Sequence, residues 1–245
     1  MADVRLAGKK FLIRVPVLFF VWACVSFSGS GFAQSSDAAI AATKKQVTAL
    51  RDEFVKATVT AGFTCPITPP TIVIEDVPSY GSYDEDTNTL KSSAWELLTD
   101  EEKGTFFRLT GPNGPEEAAR KEFETGAHHW VLVHELGHWW QACKHVQSSD
   151  PYRFESGANR IAAAYWRKHD AGIIAHQRTV FEYVQAKVPA PALDGQEPEV
   201  YFNAHYPDKF PSIPEYIWFQ AKMCLKAFDE KPAPSFEEVL KETKP

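Results

Sequence analysis

His128 to His138 reads HHWVLVHELGH, and its second half, His134-Glu135-Leu136-Gly137-His138, has the spacing H-E-x-x-H. Residues four apart share one face of an α-helix, so the imidazoles of His134 and His138 can meet at one metal ion. Glu135 then points near the position left for water, where it can accept a proton as a general base. Nitrogen donors at about 2.0–2.1 Å, in a tetrahedron with one place open, suit Zn2+. Trp130-Val131-Leu132-Val133 before the motif and Trp139-Trp140 after it predict a buried helix. His129, Leu132, Leu136, Trp140 and Cys143 face the core in this reading, and His134, His138 and Gln141 lie on another face.

Two histidines do not complete a zinc site, and a further ligand is required. Downstream, Arg153-Phe154-Glu155-Ser156-Gly157-Ala158-Asn159-Arg160 leads into the helical run IAAAYW. Glu155 and Asn159 are four apart and share a face. The carboxylate can bind metal, and the amide can hold a ligand histidine from the far side of its ring. The metzincin extension would place glycine at position 141 and histidine at 144; Gln141 and Lys144 stand there, with His145 one place out of register.

HELGH followed by ESGAN resembles the gluzincin metallopeptidases, whose H-E-x-x-H is followed by a helix bearing E-x-x-x-D or E-x-x-A-D/N. The likeness covers residues 126–166. It implies a zinc-dependent peptidase acting on a peptide or protein substrate. His134, His138 and Glu155 would bind metal, Glu135 would be catalytic, and Asn159 would orient a ligand. It also implies a zincin-like α+β fold, mostly helical, with a small N-terminal mixed sheet over the metal helix. In such folds an edge strand pairs with extended substrate, and residues 88–94 are the candidate here. A His or Tyr donor for the developing oxyanion is expected in the C-terminal part, where His205 and Tyr206 lie in a predicted loop.

The N-terminal residues read as a signal peptide. Arg5, Lys9, Lys10 and Arg14 precede the apolar run Val15 to Phe27, and small residues lead to a cut after Ala33. The run is short for a lasting membrane span. Secretion or a periplasmic location follows; a lipoprotein anchored at Cys24 is the alternative. Residues 34–245 then form one domain. Of 26 basic and 32 acidic residues, four basic and one acidic fall in the leader, leaving a net charge of −9. That charge argues against nucleic acid as a partner. Cys65, Cys143 and Cys224 remain in an oxidising compartment. The expected bridge joins Cys143 to Cys224, helix to helix.

Amphipathic spacing predicts a helix over 36–62, and β-branched residues predict a strand over 71–77. An Asp-rich turn within 80–90 predicts a hairpin. Thr99-Asp100-Glu101-Glu102 is a capping box for a helix over 99–109. Further helices are expected over 116–124, 151–168, 172–187, 214–229 and 235–241, with Gly126 a kink before the metal helix. The aromatic stripe of 214–229, which holds Tyr216 and Phe219, is assigned to the core. The rival functional readings are a non-catalytic zinc-binding module of the cell envelope and a metal-free helical interaction protein.

Overall fold

The computed structural model describes residues 30–111, 114–146, 149–206 and 212–244. The charged and apolar segments of the expected leader, with Cys24, lie outside them. The described residues form nine α-helices and a three-stranded mixed sheet, which packs against the first and fourth helices. None of these helices is long and apolar enough to cross a membrane.

A long first helix, α1 (Ser30–Thr60), turns Val47 and Phe54 into the core. Strands β1 (Thr71–Ile74), β2 (Gly81–Asp84) and β3 (Thr89–Ser92) follow in the order β1-β3-β2. β3 pairs parallel with β1 and antiparallel with β2. The hairpin therefore forms as expected, but the assignment of 88–94 to an edge strand is corrected. β1, which precedes the hairpin, pairs with its second arm and so encloses β3; β1 and β2 are the edges, and β2 is the one that packs on the metal-motif helix.

The capping box forms at Thr99, which accepts from Glu102 N–H while the Glu102 carboxylate accepts from Thr99 N–H, and starts α2 (Asp100–Thr110). α3 (Glu116–Phe123) runs into a π-helical segment, Glu124–Val131, where a kink was expected at Gly126. Its wider turn leads without a break into α4 (Leu132–Cys143), whose 12 residues are all buried. π-Turns inside helices are frequent at functional sites. α5 (Pro151–His169) begins at Asp150, whose side chain accepts from Arg153 N–H. α6 (Ala171–Lys187), α7 (Pro198–His205), α8 (Ile213–Asp229) and α9 (Phe236–Glu242) complete the chain.

The main core gathers Phe54, Trp139, Trp140, Tyr165 and Phe236 around α4 and α5. Phe54 makes close ring contacts with Trp139, Tyr165 and Phe236 at 5.3–6.4 Å. Helices α4 and α5 cross where both are thin. A Cβ on Gly137 would lie 3.1 Å from the Ala158 Cα and backbone oxygen, so the HELGH glycine sets how near α5 can come.

The expected disulfide is corrected. Cys143 bonds Cys65, with Cα atoms 5.2 Å apart, and Cys224 is free and buried. The bridge ties the linker after α1 to the end of α4. Closing a loop with a sequence separation of 78 constrains the unfolded chain, by about 4.5 kcal/mol in the chain-entropy account. Such a bond is compatible with an extracellular protein.

Candidate metal centre

α4 presents His134 and His138 on one face, and α5 brings Glu155 against them. Their ligand atoms all lie within 4.8 Å of one another, and all three residues are buried. The two Nε2 atoms are 3.1 Å apart. Glu155 Oε2 is 3.2 Å from His134 Nε2, and Oε1 is 3.6 Å from His138 Nε2.

Hydrogen bonds decide which way each ring faces. The Glu155 carboxylate can only accept, so the contact at 2.8 Å from Oε2 is the Nε2–H of Gln220. Gln220 therefore turns its Oε1 to the amide of Asn159, which donates from Nδ2 at 3.0 Å. Asn159 Oδ1 is left to accept the Nδ1–H of His134 at 2.9 Å. His138 donates its Nδ1–H to Gln141 Oε1 at 2.8 Å, and Gln141 in turn donates to the Phe154 carbonyl. Both imidazoles thus spend their Nδ1–H on amide oxygens and direct Nε2 lone pairs at each other and at a carboxylate. Only a cation, a proton or a metal ion, can reconcile that arrangement. The donor set fits a metal.

Without metal, the proton takes the place. Burial alone would depress the pKa of His138, but the Glu155 carboxylate, by charge and hydrogen bonding, raises it to about 9. Burial would raise the Glu155 carboxyl, yet the two histidines, His138 first, hold it well below the usual range. Metal binding near pH 7.5 must therefore expel a proton. We expect release of about one proton per chain. Titration calorimetry in buffers of different ionisation enthalpy would measure it, and the release should fade above pH 9. Binding at pH 7.5 with no proton release would contradict this description of the site.

Glu135 stands beside the triad. Its Oε2 accepts the Tyr83 N–H of β2 at 2.8 Å. A cleft of about 840 Å3 opens here, lined by β2 residues from Gly81 to Tyr83, the triad, Glu135, Tyr206 and Tyr216. Tyr206 donates to Glu155 Oε1 at 2.8 Å. His205, expected in a loop, is instead the last residue of α7; its Nδ1–H donates to the Tyr201 carbonyl and its ring stacks on Tyr201. Pro198 opens that helix, a position where proline needs no backbone partner.

Sequence reasoning brought together His134, Glu135, His138, Glu155 and Asn159, and the structure places all five here. It overlooked Gln220 and Tyr216, assigned to an aromatic core helix. Tyr216 accepts from Gln220 Nε2 at 2.8 Å and lines the cleft. Burial first, and then the Glu155 charge, push its phenol well above its ordinary pKa, so it stays protonated. The available signal was the four-residue spacing of Tyr216, Gln220 and Cys224 beside the apolar Phe219 and Met223. Gln141 lay on the predicted histidine face, but its bond to His138 was not foreseen. Gly157 makes room for it, since a Cβ there would sit 2.7 Å from Gln141 Nε2. No protein-family model, curated protein or solved structure matches the chain.

Proposed function

We propose that residues 34–245 form a single-domain, exported, zinc-dependent metallopeptidase of the gluzincin type. The observation that carries this reading is the position of Glu135: one carboxylate beside the His134–His138–Glu155 group, inside an open cleft, at the outer edge of β2. A purely structural metal site is closed and has no use for an adjacent base. Two imidazoles and one carboxylate favour zinc over magnesium or calcium, which take oxygen donors.

His134, His138 and Glu155 hold the ion, with Asn159 and Gln141 fixing the rings. Zinc bound there supplies a Lewis acid and lowers the pKa of water to about 7. Glu135 takes the proton of the attacking water and passes it to the leaving amine. The Tyr83 N–H holds Oε2 of that carboxylate and so sets its direction. The outer edge of β2, in place of residues 88–94, lines the cleft and is the place for an extended peptide to add as a strand, at backbone groups other than the Tyr83 N–H and the Gly81 carbonyl, which bind Glu135 and Ser79. Tyr216, whose phenol stays neutral and lines the cleft, is the residue we assign as donor to the developing oxyanion.

Metal analysis of the purified protein beside Glu155→Ala tests the centre. About one zinc per wild-type chain and little in the variant is expected. Equal zinc in both would remove Glu155 from the site, and none in either would return the histidines to the core.

A further inference from the structure

Helix α8 carries Tyr216, Gln220 and Cys224 at four-residue spacing, a polar seam that runs beside the core residues Phe219 and Met223. Helix α5 carries Glu155 and Asn159 at the same spacing. The two seams meet residue by residue. Gln220 donates to Glu155 Oε2 and accepts from Asn159 Nδ2, and the Cys224 thiol approaches Asn159 Oδ1 at 3.2 Å. A primary amide suits this place because one end must donate to a carboxylate and the other must accept from an amide. Leucine offers neither, and glutamate offers only the acceptor when ionised.

We propose that Gln220 is a positioning residue of the metal centre. It holds Glu155 directly and His134 through Asn159, so that α8, remote in sequence from both motifs, sets metal affinity. The ring of contacts runs His134, Asn159, Gln220, Glu155 and back to His134, and it fixes the tautomer of one imidazole and the orientation of the carboxylate together. Partners of this kind, outside the ligand set, commonly govern affinity by about 10–100-fold. The proposal rests on the metal half of the preceding reading and not on peptide hydrolysis.

Competition for zinc against a chromogenic chelator, using the full chain, tests it. Gln220→Leu should weaken zinc binding by about 10–100-fold. Asn159→Ala should also weaken it, and the double variant should lose less than the product of the two, because both act through one ring. Gln185→Ala, which removes the bond from α6 to the Trp218 carbonyl of α8, is the control for α8 docking alone and should bind zinc like wild type. Wild-type affinity in Gln220→Leu, multiplicative losses, or an equal loss in Gln185→Ala would overturn the proposal. Should Gln220→Leu fail to fold, Gln220→Glu keeps the length and the acceptor while setting a carboxylate against Glu155. It should bind zinc more weakly, and unchanged affinity would again refute the role. A wild-type chain that takes no zinc would instead overturn the metal reading itself.

Discussion

Glu135→Gln should keep its zinc and lose hydrolysis by about 10²–10⁴-fold, the usual contribution of a positioned general base. The substitution is nearly isosteric, and its remaining carbonyl oxygen can still accept the Tyr83 N–H that now bonds Oε2. Glu135 is outside the group of three whose ligand atoms converge, so the metal count should stay at the wild-type value. What the amide cannot do is take a proton at neutral pH. The comparison needs two measurements on the same preparation: zinc content, and cleavage of a mixed-sequence peptide library followed by mass spectrometry. Turnover within tenfold of wild type, with zinc retained, would remove Glu135 from the mechanism. A wild-type chain that holds zinc and cleaves nothing would favour the non-catalytic envelope module.

The parts of this molecule that could be read from residues alone are those specified by short spacing. The capping box at Thr99 is decided within four residues, and HELGH and ESGAN each lie within one or two helical turns. Their ligand faces follow from helical periodicity. What brings α4 and α5 together is also visible in part, since Gly137 and Ala158 are the small residues each motif supplies. The misses share a different origin. β3 is central because a strand that precedes the hairpin pairs with it, Cys143 chooses Cys65 over Cys224 by tertiary proximity, and Gln220 reaches Glu155 across 65 positions. No local pattern encodes such pairings. The polar seam of α8 was hidden by its apolar neighbours, because Tyr216 and Gln220 interleave with Phe219 and Met223 at the i, i+3, i+4, i+7 spacing of one core-facing stripe.

Stripping the metal should destabilise the fold, and by an amount that grows as the pH rises from 6.5 to 9. In the metal-free protein the proton on His138 and the Glu155 carboxylate stabilise one another. The pKa of His138 is raised from 6.5 to about 9, so its contribution is fully present below pH 6.5 and disappears as the pH climbs through 9. The carboxyl of Glu155 is depressed, so its contribution is present above its ordinary value of 4.5 and is lost only in strong acid. Metal replaces the proton and needs neutral imidazole, so rising pH weakens the metal-free protein while leaving the loaded one unchanged in this respect, and the gap between them widens. With free zinc a thousandfold above its Kd, binding adds about 4 kcal/mol to stability. For a chain of this size that corresponds to roughly 10 °C in melting temperature. His138→Ala should not respond to zinc at all. It should also melt lower than metal-free wild type at pH 6.5, since removing one partner leaves Glu155 as a buried, less compensated charge. Thermal melts at pH 6.5 and 9, with and without a chelator, would check both statements. A chelator effect that is the same at the two pH values would mean that His138 does not carry the proton that the metal displaces.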